Sequence, residues 1–204
     1  MDAKKKKKVI SMKFIGFYDY TVILTYLSLI SAFLGMCFAH QGSFTAAVLC
    51  LLFSGICDAF DGTVARSKKN RTEDEKAFGI QLDSLCDVVS FGIFPAFLLH
   101  CMGVRGPAGM ILLCFYCVCA VIRLGFFNVQ EAKRQQVEEG SGKFYRGLPV
   151  TTSSMILPLA YLLRLILPGK VFRILLYIVP ALTGFLFILD FRVRKPDVKK
   201  LFCK

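Results

Sequence analysis

Six apolar stretches, each close to 20 residues, leave this chain few ways to fold. They run at roughly 20–40, 44–65, 78–100, 107–128, 148–167 and 171–190 of the 204 residues. About 20 apolar residues is the length an α-helix needs to cross a hydrocarbon core of roughly 30 Å. The chain therefore reads as all-α, a polytopic membrane protein with six transmembrane helices. Hydrophobic residues make up 55% of it, and 20 residues are Phe. The length allows one membrane domain over 20–190, a basic juxtamembrane segment over 1–19 and a basic tail over 191–204.

The formal charge of +12 invites a nucleic-acid reading, but its distribution argues against one. Lys4 to Lys8 and Lys13 precede the first span. Lys68, Lys69, Arg71 and Lys76 fall between the second and third, and Lys133, Arg134, Lys143 and Arg146 between the fourth and fifth. The tail from Arg192 to Lys204 follows the last span, while the opposite connections hold little beyond Arg105, Lys170 and Arg173. By the positive-inside rule both termini and the basic loops face the cytoplasm. The excess is a topology signal for a protein of the cell membrane, with added attraction to anionic headgroups. No nucleic-acid partner is expected.

No small-residue cleavage site follows the lysine run, so the first span is expected to be retained. Val9 to Tyr20 mixes apolar and polar residues and reads as a short interfacial helix. Nine cysteines lie mostly within spans, and they read as small packing residues rather than metal ligands. Glu138-Glu139-Gly140-Ser141-Gly142 reads as a flexible patch.

Four aspartates interrupt the apolar pattern. Asp58 and Asp61 lie near the end of the second span, and Asp83 and Asp87 near the start of the third. Spacings of three and four put each pair on one helical face. Gly62 and Ala65 continue the first face and Gly79 the second, and small residues allow close approach of a ligand. Ionised carboxylates at membrane depth are costly and need partners. Four convergent carboxylates repel one another unless cations lie between them, which points to a divalent metal with oxygen ligands. The structural alternative is an ion-pair network with Arg66 and Arg123, but carboxylates outnumber those bases. A divalent-cation transporter is the rival of another class. The clustering of all four aspartates on the cytoplasmic side counts against it.

The pattern Asp58-x2-Asp61-Gly62-x2-Ala65-Arg66, then Gly79-x3-Asp83-x3-Asp87, resembles the signature of the CDP-alcohol phosphatidyltransferase family at all eight fixed positions. Twelve residues separate Arg66 from Gly79, where many members have eight. The resemblance implies that Asp58, Asp61 and Asp83 hold one or two Mg2+ or Mn2+ ions at the CDP pyrophosphate. It implies that Asp87 is the general base near the acceptor hydroxyl and also a metal ligand. Asp58, Gly62, Ala65, Arg66 and Gly79 would then form the CDP and phosphate subsite. A homodimer is also implied.

Three further blocks resemble the phosphatidylserine synthase branch of that family. They are Ser90-Phe91-Gly92-Ile93-Phe94-Pro95-Ala96, Arg123-Leu124-Gly125-Phe126-Phe127-Asn128 and Gly147-Leu148-Pro149. The implied reaction joins CDP-diacylglycerol and L-serine to give phosphatidylserine and CMP. Arginine suits a carboxylate grip through two parallel hydrogen bonds, so Arg123, Lys143 and Arg146, with Asn128, are the candidate acceptor residues. Snorkelling to the interface is the plain alternative for Arg123. The nearest functional rival keeps the chemistry but takes glycerol 3-phosphate or an inositol phosphate as acceptor.

Overall fold

The computed structural model describes residues 16–17, 20–68, 71–136 and 144–194. After a 3-10 turn at Tyr20–Val22 come α1 (Ile23–His40), α2 (Phe44–Ser67) and α3 (Glu73–Asp87). A π-helical turn, Val88–Ile93, joins α3 to α4 (Phe94–Met102). Next are α5 (Gly106–Gln136), α6 (Ser153–Leu162) between 3-10 turns at Val150–Thr152 and Leu163–Leu165, and α7 (Gly169–Ile188). One antiparallel ladder joins β1 (Phe144–Arg146) to β2 (Arg192–Arg194), with Tyr145 opposite Val193.

Five helical segments are long and apolar enough to cross a membrane: Tyr20–His40, Phe44–Ala65, Glu73–Met102, Gly106–Gln130 and Gly169–Ile188. The fifth predicted span is shorter than expected, an apolar helix over Val150–Leu165. At 1.5 Å per residue it extends about 25 Å, just under the hydrocarbon thickness. Pro158 stands inside it. The fourth span, Gly106–Gln130, agrees with the expected one, and its helix α5 continues through the polar run to Gln136. The outer surface is apolar: Ile111, Leu165, Ile166 and Leu85 are each more than 60% exposed. In water such a surface would be an aggregation liability; in lipid it is the solvent-matched face. This is an integral membrane protein. The predicted interfacial helix at Val9 to Tyr20 falls mainly outside the described residues, as do the lysine run and the Glu138 to Gly142 patch. Of that N-terminal stretch, Phe17 packs edge-on against Phe78 of α3, with ring centroids 5.5 Å apart.

Polar and small residues bring the helices together. The Ser28 hydroxyl on α1 donates to the Ser54 carbonyl at 3.3 Å, and the Ser54 hydroxyl on α2 returns a bond to the Ser28 carbonyl at 2.9 Å. Ser31 donates to the Cys50 carbonyl at 2.9 Å. Such interhelical bonds act where lipid supplies no competing water. Gly35 admits the Phe94 ring so closely that a Cβ would collide with it and stand 2.9 Å from Cys50 Cβ.

The π turn has a local cause. Pro95 has no N–H to return to the Phe91 carbonyl four residues earlier. That carbonyl accepts instead from the Tyr116 hydroxyl of α5 at 2.8 Å and from the Ser153 hydroxyl of α6 at 3.3 Å. The Phe94 N–H reaches the Val89 carbonyl, five residues back. Single π turns concentrate at functional sites, and this one begins immediately after Asp87.

Candidate active site

The four aspartates converge on one cavity, two from the end of α2 and two from α3. One carboxylate oxygen from each of Asp58, Asp83 and Asp87 lies within 4.8 Å of the other two. Asp61 stands outside that trio and accepts a 3.4 Å hydrogen bond from the Thr25 hydroxyl of α1. Asp61 and Asp87 are buried, Asp58 and Asp83 half-buried. Asp83 Oδ1 is buried without a hydrogen-bond partner among the described residues. An unsatisfied oxygen in a group of close carboxylates is the donor set a hard divalent cation takes, so these residues fit Mg2+ or Mn2+.

Two cavities open onto this group and share Asp61, Gly62 and Asp83. One, of about 430 Å³, contains all four aspartates and extends to Arg123, Phe127 and Thr151. The other, of about 140 Å³, runs between Thr21 and Thr25 of α1 and Ala65, Gly79, Arg71 and Lys76. The small residues singled out from the sequence therefore do line a cavity, and Gly79 does so under a guanidinium: a Cβ there would stand 2.6 Å from Arg71 Nη2.

The start of α3 follows from its sequence. Thr72 and Glu75 form a reciprocal capping box, with Glu75 N–H donating to Thr72 Oγ1 at 3.2 Å and Thr72 N–H to Glu75 Oε2 at 3.0 Å. Glu73, Asp74 and Glu75 occupy the first turn, where the helix dipole favours negative charge. Lys68 donates to Glu75 Oε1 at 3.1 Å.

Arg123 is positioned by the Gly147-Leu148-Pro149 block. Its Nε donates to the Leu148 carbonyl at 3.0 Å. Gly147 adopts φ +68°, the left-handed region that favours glycine, and a Cβ there would lie 3.0 Å from the Leu189 carbonyl. Arg123 is 8% exposed, so it is a buried cation rather than a snorkelling one. It also borders a second space lined by Asp190, whose charge acts on it.

The other candidates divide. Asn128 Oδ1 accepts from Ser84 at 2.7 Å, and Asn128 is not among the residues lining either cavity. Arg146 lies in β1, and its side chain, that of Arg66 and all of Lys143 lie outside the described residues. Reasoning from sequence missed Thr21, Thr25 and Thr151, and it read Arg71 and Lys76 only as topology charges. A polar residue at position 25 of an apolar span was the one available signal for Thr25; Arg71 carried none, since its place over Gly79 depends on its bond to the Glu75 carbonyl.

The CDP-alcohol phosphatidyltransferase family profile matches residues 20–187. The chain is 38% identical to the CDP-diacylglycerol–serine O-phosphatidyltransferase of Saccharomyces cerevisiae over 113 residues, covering 54% of this chain and 40% of the yeast protein. It is 34% identical to the archaetidylserine synthase of Methanothermobacter thermautotrophicus over 151 residues, 74% of this chain and 60% of that protein. A CDP-diacylglycerol–serine O-phosphatidyltransferase of Helicobacter pylori is 29% identical over 84% of this chain and 70% of its own length. The first two matches thus span about half the length of those relatives. With the four signature aspartates gathered at one site and the profile covering nearly every helix, the chain belongs to the CDP-alcohol phosphatidyltransferase family.

Proposed function

We propose that this protein transfers the phosphatidyl group of CDP-diacylglycerol to the hydroxyl of L-serine, releasing CMP. The observation that carries the reading is the 430 Å³ cavity in which the four aspartates face Arg123. The names of the relatives support the choice of serine.

Asp58, Asp61, Asp83 and Asp87 would hold Mg2+ or Mn2+. Bound there, the cation supplies charge stabilisation for the departing CMP oxygens. Asp87 takes the proton of the serine hydroxyl, which needs a base within hydrogen-bond reach. The deprotonated oxygen attacks the β-phosphorus, and the bond to the CMP oxygen breaks. With Nε committed to Leu148, Arg123 meets the serine carboxylate through its terminal nitrogens. Gly62, Ala65 and Gly79 give the nucleotide half of the donor close access to backbone, while the apolar outer surface leaves both acyl chains in lipid. The lysine and arginine distribution supports placing both termini and this site on the cytoplasmic face.

The test is CMP release by purified protein in detergent with CDP-diacylglycerol, Mg2+ or Mn2+, and one acceptor at a time. Release with L-serine alone, abolished by chelator, is the expected result. Release with glycerol 3-phosphate or an inositol phosphate instead overturns the acceptor assignment while keeping the aspartate chemistry.

A further inference from the structure

We propose that Arg71, seconded by Lys76, is the cation that receives the phosphate charge of the cytidine nucleotide. The assignment rests on the donor being a CDP-lipid. Its structural basis is the way the α2–α3 turn aims this side chain. Glu75 binds the turn at several points: its carboxylate takes Lys68 and the Thr72 N–H, and its backbone carbonyl takes Arg71 Nη2 at 3.0 Å. The guanidinium is thereby laid across Gly79, where a Cβ would stand 2.6 Å from Nη2 and push it aside.

The arginine held this way is not spent. The ion pairs described at this end of the molecule are Lys68 with Glu75 and Lys76 with Glu73, and neither includes Arg71. Arg71 Nε is buried and has no hydrogen-bond partner among the described residues. A buried donor without an acceptor is costly, and phosphate, like carboxylate, matches the geometry of a guanidinium fork. Among the described residues, Arg71 and Lys76 are the cations lining the cavity that also contains Asp61, Gly62, Ala65 and Asp83. Arg123 lies in the other cavity. The two cations therefore divide the substrates, Arg71 on the nucleotide side and Arg123 on the acceptor side.

The test compares Arg71→Ala and Arg71→Lys with the unaltered protein in detergent with Mn2+, using CMP and cytidine as probes in titration calorimetry. Losing one charge-assisted hydrogen bond predicts about tenfold weaker CMP binding in Arg71→Ala, with cytidine binding unchanged. Arg71→Lys should recover part of the loss. In steady-state assays the KM for CDP-diacylglycerol should rise about tenfold while the KM for serine stays constant. Equal weakening of CMP and cytidine would assign Arg71 a purely structural role and overturn the proposal, as would an unchanged CMP affinity. If the unaltered protein neither binds CMP nor releases it from CDP-diacylglycerol, the functional reading falls and this inference with it; a working enzyme indifferent to Arg71 removes only the inference.

Discussion

The Tyr116 hydroxyl donates to the Phe91 carbonyl at 2.8 Å, at the point where Pro95 can return no N–H. The bond ties α5 to the π turn that follows Asp87, and Tyr116 is fully buried against Phe187. A local backbone irregularity that begins directly after Asp87 is thus satisfied from another helix.

Tyr116→Phe tests this relationship. Removing the hydroxyl leaves the carbonyl with Ser153 alone and should cost about 0.5–1.5 kcal/mol, the worth of one hydrogen bond. Thermal unfolding in detergent should show a midpoint several degrees lower, and CMP release should slow, because Asp87 lies next to the loosened turn. Unaltered unfolding and turnover would show that the bond contributes nothing.

Asp87 and Asp83 should separate in their effects. Asp87→Asn keeps a side chain of the same size but removes the base, so turnover should fall by about 10²- to 10⁴-fold, with CMP binding largely retained. Asp83→Asn removes a donor whose Oδ1 is otherwise unsatisfied, and should weaken Mn2+ binding measured directly by electron paramagnetic resonance. Parallel loss of CMP binding and turnover in Asp87→Asn would remove its role as base.

Arg123→Lys replaces a planar fork with a point charge and gives up the Leu148 bond. We expect kcat/KM for serine to fall about 10- to 100-fold, with the KM for CDP-diacylglycerol unchanged. Kinetics with each substrate varied in turn would show the split, and a rise in both KM values would contradict it.

Gly147→Ala should reproduce part of that effect from a distance. The backbone there has φ +68°, and the new Cβ would press on the Leu189 carbonyl at 3.0 Å. The strain is worth about 1 kcal/mol or more, and relieving it moves the Leu148 carbonyl that holds Arg123. A higher KM for serine with little change in the donor KM is the expected outcome.

Gly35→Ala tests packing far from the carboxylates. A methyl group there meets the rigid Phe94 ring and Cys50 rather than the tip of a flexible chain. Overpacking of this kind costs about 1–3 kcal/mol, so the protein should unfold at lower temperature. If the variant unfolds like the unaltered protein, the α1–α4 approach is looser than described.

The sequence by itself determined the helices and the composition of each helical face. Hydropathy over 20 residues is a local property, so the spans were legible, apart from the short helix around Pro158 and the extension of α5 to Gln136. Spacing along one helix is equally local, so Asp58 with Asp61, and Asp83 with Asp87, were legible as shared faces. Only the tertiary structure decided which carboxylates meet, Asp58 of α2 with Asp83 and Asp87 of α3. It alone placed Thr25 on Asp61, Leu148 on Arg123 and Arg71 over Gly79. Those relations depend on the rotation and closeness of helices far apart in the chain. Contacts such as Gly35 against Phe94 and Ser28 against Ser54 set that rotation, and no periodicity within a single helix encodes it.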